Sequence, residues 1–127
     1  MSIRVSWVDD SRAALLRDFD GVWNWEDFYT SQEEAIAMLN SVEHVVNQIF
    51  DFSKTHSLPP NALSHLGNSA RNMPDNRGAS IVVTDSRFYQ AMYRVLEVVI
   101  PVITKKVVLV KTREEALEKV HEIVAQS

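Results

Sequence analysis

One α/β domain built on a five-stranded mixed sheet is the architecture this sequence predicts, and three observations predict it. Apolar runs of strand length (Val45 to Phe52, Ala79 to Thr84, Lys106 to Val110) are separated by segments whose apolar residues recur at three- and four-residue steps. Strands separated by helices call for parallel pairing with crossover connections. Ahead of them stands a short alternating segment joined by turn chemistry to a second one, which predicts an antiparallel hairpin. A chain of 127 residues supports a single domain, residues 1–127, since a second core would be short of residues. The predicted order is β-β-α-β-α-β-α-β-α, a mostly parallel sheet packed with four helices.

Each element has its own signal. Ile3, Val5 and Trp7 alternate with polar residues, Asp9-Asp10-Ser11-Arg12 turns the chain, and Ala13 to Asp20 returns it. Gly21 supplies backbone freedom where the chain leaves the sheet. Asn24 is the expected cap of the first helix, with Trp25, Phe28, Gln32, Ala35, Ile36, Leu39 and Val42 on one stripe that only Gln32 interrupts. Ser31 offers a rival start, because Ser31-Gln32-Glu33-Glu34 fits a capping box. Trp23, Trp25, Phe28 and Tyr29 cluster at the start of this helix, as core packing or as an anchor for a partner.

Val45 to Phe52 carries apolar residues on both faces and suits a central strand. A second helix is expected from Pro60 to Met73, stopped by Pro74. Asp75 to Gly78 reads as a turn and Ala79 to Thr84 as a buried strand. Asp85 or Ser86 caps a third helix, striped by Phe88, Ala91, Met92, Val95, Leu96, Val99 and Ile100 and ended or kinked by Pro101. Lys106 to Val110 is the last strand, and Thr112-Arg113-Glu114-Glu115 is a capping box for a fourth helix.

Composition removes several functions. The absence of cysteine excludes disulfides, a thiol nucleophile and thiolate metal sites. The amino-terminal residues lack a signal peptide's apolar core, and Val95 to Ile103 is interrupted by Glu97 and Pro101 and is too short to span a bilayer, so a cytoplasmic protein without a membrane span is expected. Through Phe52 the chain carries ten acidic and three basic residues, and from Ser53 onward seven and ten, which together give the net charge of −4. That polarity favours encounter with a partner or self-association, or merely reflects differing helix surfaces. Arg71, Arg77, Arg87, Lys105, Lys106 and Lys111 are scattered without stacking aromatics, which argues against nucleic acid.

In an open α/β sheet, ligands and partners act in the crevice beyond the carboxyl ends of the strands. Here that place is the loop and helix start from Ser53 to His65, with Thr84, Asp85 and Ser86 on the neighbouring strand. The candidate partner-binding set is therefore Ser53, His56, Ser57, Pro60, Asn61, Ser64, His65, Thr84, Asp85 and Ser86. For Thr84 to Ser86, plain helix capping is the competing reading. His56 and His65, with Asp51, match no standard ligand spacing, and His44 and His121 lie elsewhere, so neither metal nor other cofactor is expected. A triad drawn from Ser57 or Ser64, a histidine and Asp51 or Asp85 lacks a nucleophile elbow. No catalytic residue is assigned.

The element order, with particular residues, resembles the STAS family, the SpoIIAA-like anti-sigma-factor antagonists and their relatives. Phe19-Asp20-Gly21-Val22-Trp23 looks like the family's strand-to-helix step, and Ile49-Phe50-Asp51-Phe52-Ser53 is similar to its central strand. Arg94-Val95-Leu96-Glu97 followed by Val107 to Leu117 looks like its third helix, last strand and final helix start. The resemblance covers nearly the whole chain and implies a non-enzymatic regulatory module that binds another protein or a second copy of itself. It breaks at the turn into the second helix. Where the family carries a phosphorylated serine, this chain has Leu58-Pro59-Pro60-Asn61-Ala62, and its prolines remove backbone donors. The alternative is a carrier of a small apolar ligand, held under the second and third helices by Leu63, Leu66, Met73, Phe88, Met92 and Leu96, residues that fill a core equally well.

Overall fold

The structure is a computed structural model that describes residues 2–55, 58–70, 72–99 and 106–126, the side chains of Leu63, Ala70, Phe88, Met92, Leu96 and Val99 excepted. Its strands are β1 (Ile3–Trp7), β2 (Ala14–Asp20), β3 (Val46–Lys54), β4 (Arg77–Val83) and β5 (Val107–Val110). Its helices are α1 (Trp25–Asn40), α2 (Ala62–Ala70), α3 (Arg87–Val99) and α4 (Arg113–Ala125). The sheet runs β1-β2-β3-β4-β5 in space, antiparallel between β1 and β2 and parallel thereafter. The expected α/β architecture, element order and antiparallel edge strand are all present.

Strand alternation sorts the sheet into two buried faces. Ala14, Ile49, Ile81 and Val83 pack against Ala116 and Val120 of α4, with Leu16, Val108 and Val110 half-buried beside them. On the opposite face, Leu15 and Val46 pack with Ala35 and Leu39 of α1, while Ile3 and Phe19 join Trp23, Trp25 and Phe28 in an aromatic cluster. Leu66 of α2 leans on that cluster, and Tyr89 of α3 stacks on Phe52 at 4.9 Å. Thus α1, α2 and the start of α3 cover one face and α4 the other. The central strand β3 is apolar on both sides because both are covered.

The caps decide several boundaries. Asn24 accepts a hydrogen bond from the Asp27 amide at 2.8 Å while its own amide donates to the Asp27 carboxylate, so the longer of the two expected starts of α1 is the real one. Ser31 is buried inside the helix and donates to the Phe28 carbonyl. Gln32 does not spoil the stripe: it is buried and donates to the Ser69 carbonyl of α2 at 3.1 Å. Thr112 caps α4 by accepting from the Glu115 amide.

Two expectations are corrected. Helix α2 starts at Ala62, not at Pro60, because Asn61 takes a left-handed conformation (φ 68°) that interrupts helical geometry. Strand β4 starts at Arg77 within the expected turn, since Val46 pairs with Arg77 across the sheet. Gly78 permits this. A Cβ there would fall on the Asn47 side-chain oxygen, which accepts from the Ala79 amide at 3.0 Å. Gly21 has φ 71°, as a tight exit from the sheet requires. The expected stop at Pro101 lies outside the described residues.

Candidate functional site

The parallel strands β2 to β5 all point their carboxyl ends to one edge of the sheet. Register places Asp18 directly beside Asp51 there. Both follow the alternation onto the face covered by α4, whose Thr112 cap sets Arg113 as the first helical residue. The Arg113 guanidinium spans the two acids, with Nε donating to Asp51 Oδ2 at 2.8 Å and Nη2 lying 3.2 Å from Asp18 Oδ1. The second contact is an ion pair outside hydrogen-bonding alignment. Lys54 pairs with the other Asp18 oxygen at 3.2 Å.

Asp51 is 1% exposed and accepts further hydrogen bonds from the Ser53 amide (2.9 Å) and hydroxyl (2.6 Å). Burial pushes its carboxyl up, but Ser53 and the Arg113 guanidinium more than offset that and hold it below the ordinary carboxylate range. It is therefore ionised at neutral pH, with its oxygens already engaged. Such a group fixes geometry and has no proton to give. Two acids and two bases neutralise one another, so the network ties β2, β3 and α4 together without leaving a strong net charge.

The described residues expected from the sequence sit at the end of β3 and on the segments that follow β3 and β4. Ser53 is exposed but engaged with Asp51. Pro60 is exposed and its carbonyl accepts from the Trp25 indole at 2.6 Å. Asn61 and Ser64 are exposed, and Asn61 begins α2 by accepting from the His65 amide. His65 is half-buried, its ring stacked on Trp25 at 4.7 Å and hydrogen-bonded through Nδ1 to the Tyr29 hydroxyl at 2.7 Å. Thr84 is buried, and its hydroxyl accepts from the Ser86 amide while the Ser86 carbonyl accepts from Gln90. Asp85 is exposed beside them. The helix starts after β3 and β4 thus share one edge of the sheet, and the Thr84 hydroxyl holds the turn that leads into α3. His56 and Ser57 lie outside the described residues.

Sequence reasoning did not connect Asp18, Lys54 and Arg113. Asp18 and Asp51 stand near the ends of two apolar strands, but only the register makes them neighbours. Of the alternative apolar set, Leu66 packs with the aromatic cluster and Met73 with the Leu15–Leu39 cluster, whereas the side chains of Leu63, Phe88, Met92 and Leu96 lie outside those described. His44 is exposed and bonded to the Arg12 carbonyl, and His121 is exposed on α4. Among the described residues no group of three or more His, Cys, Asp or Glu side chains is placed to hold a metal ion, and no helix is long and apolar enough to cross a membrane. No family model matches the sequence, and no curated protein matches it.

Proposed function

We propose that this chain is a non-enzymatic, STAS-like regulatory module of the cytoplasm that engages a partner protein through the carboxyl edge of its sheet, without a phosphoserine switch at the start of α2. The observation that carries the reading is that exposed Pro60, Asn61 and Ser64 and exposed Asp85, with half-buried Ser86, stand at two helix starts that follow adjacent central strands. They stand on a base stiffened by Asp51 and Arg113. Asn61 adds weight, because a non-glycine residue held at φ 68° is a strained backbone position of the kind that gathers at working surfaces. A polar, rigid, convergent rim suits recognition of another folded surface, whether a different protein or a second copy of this one.

The test places a photo-crosslinking amino acid at Ser64, at Asp85 and, as a control, at exposed Glu122 on the α4 face. Cells expressing each form are irradiated and the adducts identified by mass. One shared adduct from Ser64 and Asp85, missing from Glu122 and abolished by adding Asn61→Arg, is the expected result. Adducts independent of position, or undiminished by Asn61→Arg, would overturn the proposal.

A further inference from the structure

The core between the sheet and α1 contains a charge that nothing in the carboxyl-edge site uses. Arg17 lies on β2 with Leu15 and Phe19 on the inward face and is 0% exposed. Its Nη2 donates to the Gln48 side-chain oxygen at 2.7 Å, while Nε and Nη1 have no hydrogen-bond partner among the described residues. The guanidinium sits 4.7 Å from the Phe50 ring centre and 5.8 Å from that of Phe28. No acidic side chain pairs with it among the described residues. A fully buried cation without an anion is among the least favourable arrangements a core can hold, and ring faces compensate only part of it.

The cover on this side is fastened by polar contacts as well as by the packing of Ala62 and Leu66 on the aromatic cluster. Helix α2 and the loop leading into it are held to α1 by Gln32 to the Ser69 carbonyl, by Gln32 to the Met73 sulfur, by Tyr29 to His65 and by Trp25 to the Pro60 carbonyl. Water can replace such bonds at small net cost, so the polar part of this seam parts more readily than its apolar part. Beneath it wait a guanidinium with free donors and a wall of Phe28, Phe50, Leu66 and Met73.

We propose that Arg17 is the anchor of a binding site for an amphipathic monocarboxylate, an organic acid with an apolar tail. The carboxylate accepts from the free Arg17 donors while Gln48 keeps its own bond. The tail lies along the α1–α2 seam. A single negative charge matches the single buried positive one, whereas a phosphate dianion would leave a buried excess. The apolar and aromatic walls favour a hydrocarbon tail. This site is separate from the partner surface: Arg17, Gln48, Phe28 and Phe50 do not belong to the carboxyl-edge rim.

Decanoate below its micelle concentration, decan-1-ol and acetate are titrated calorimetrically at pH 7 into the full chain and into Arg17→Met. Decanoate should bind the wild type more tightly than either analogue. Arg17→Met should lose about ten- to a hundredfold in affinity, the worth of hydrogen bonds to a charged group. Wild-type protein labelled with ¹⁵N in its arginines supplies a readout that does not depend on the variant's folding, since the buried Nε–H resonance should shift with decanoate and not with decanol. Failure of decanoate to bind, equal binding of decanol or acetate, equal binding by folded Arg17→Met, or an unmoved Arg17 resonance would each overturn the proposal.

Discussion

Replacing Arg17 with methionine should make the ligand-free protein more stable at neutral pH. Burial pushes the Arg17 guanidinium well below the ordinary arginine range, to about 9, a fall that corresponds to about 5 kcal/mol against its charged form in the folded state. At pH 7 both folded and unfolded chains carry the proton, so the whole penalty is present. Methionine removes the charge while keeping an unbranched stem among the rings. Two losses offset the gain. Gln48 is left without its donor, at about 2 kcal/mol, and the cation–π contact with Phe50 disappears, at about 1–2 kcal/mol. The balance favours the variant by about 1–2 kcal/mol, or roughly 4–8 °C in Tm for a domain of this size. Urea unfolding at pH 7, followed by tryptophan fluorescence and circular dichroism, measures it.

The same residue fixes a pH signature. Between about pH 9 and 12 the folded wild type releases the Arg17 proton before the unfolded chain does, so this contribution makes stability rise with pH. Arg17→Met lacks it. Adding Gln48→Leu removes the stranded acceptor and should recover about 1–2 kcal/mol more. If Arg17→Met instead lost more than about 1 kcal/mol at pH 7, the guanidinium would be a net support of the core, and the argument from its unpaired charge would fail.

Asp51→Asn should cost about 2–3 kcal/mol at pH 7, below the range for a fully buried ion pair because Arg113 is 39% exposed. Since the Asp51 carboxyl is held below its ordinary value, its contribution is present above about pH 4 and lost as pH falls through the folded value. Acid titration of stability should therefore be shallower in Asp51→Asn, and an unchanged acid limb would contradict the assignment. Asn76 donates to the carbonyls of Leu39, Val42 and His44, so Asn76→Ala should cost about 1–3 kcal/mol and speed amide exchange at the end of α1. Gly78→Ala should cost about 1–3 kcal/mol in urea unfolding by displacing Asn47.

How much of this was legible in the chain depended on the range of the interaction. Signals within one turn or one strand were readable. The Asn24 cap, the Asp9–Arg12 turn, the Gly21 exit and the Thr112 cap each arise from residues a few positions apart, and each stands where it was expected. The start of α2 was misplaced because Pro60 reads as a helix signal, while the left-handed Asn61 is fixed by its surroundings, among them the Trp25 indole bonded to the Pro60 carbonyl. Gln32 looked like a flaw in a stripe until Ser69 of α2 came within reach of it.

The sequence by itself determined the kind and order of the elements, because periodicity and caps are set by neighbours along the chain and survive any docking. It also put Arg17 two residues from Leu15 and from Phe19. Only the tertiary structure decided what those positions mean. Parallel pairing brought Asp18 beside Asp51, and α4, beginning more than sixty residues later in the chain, delivered Arg113 to both. Covering both faces of the sheet turned a strand arginine into a buried, unpaired cation. Charge neutralisation and its absence depend on distance and burial, which register and packing settle and the linear order does not contain.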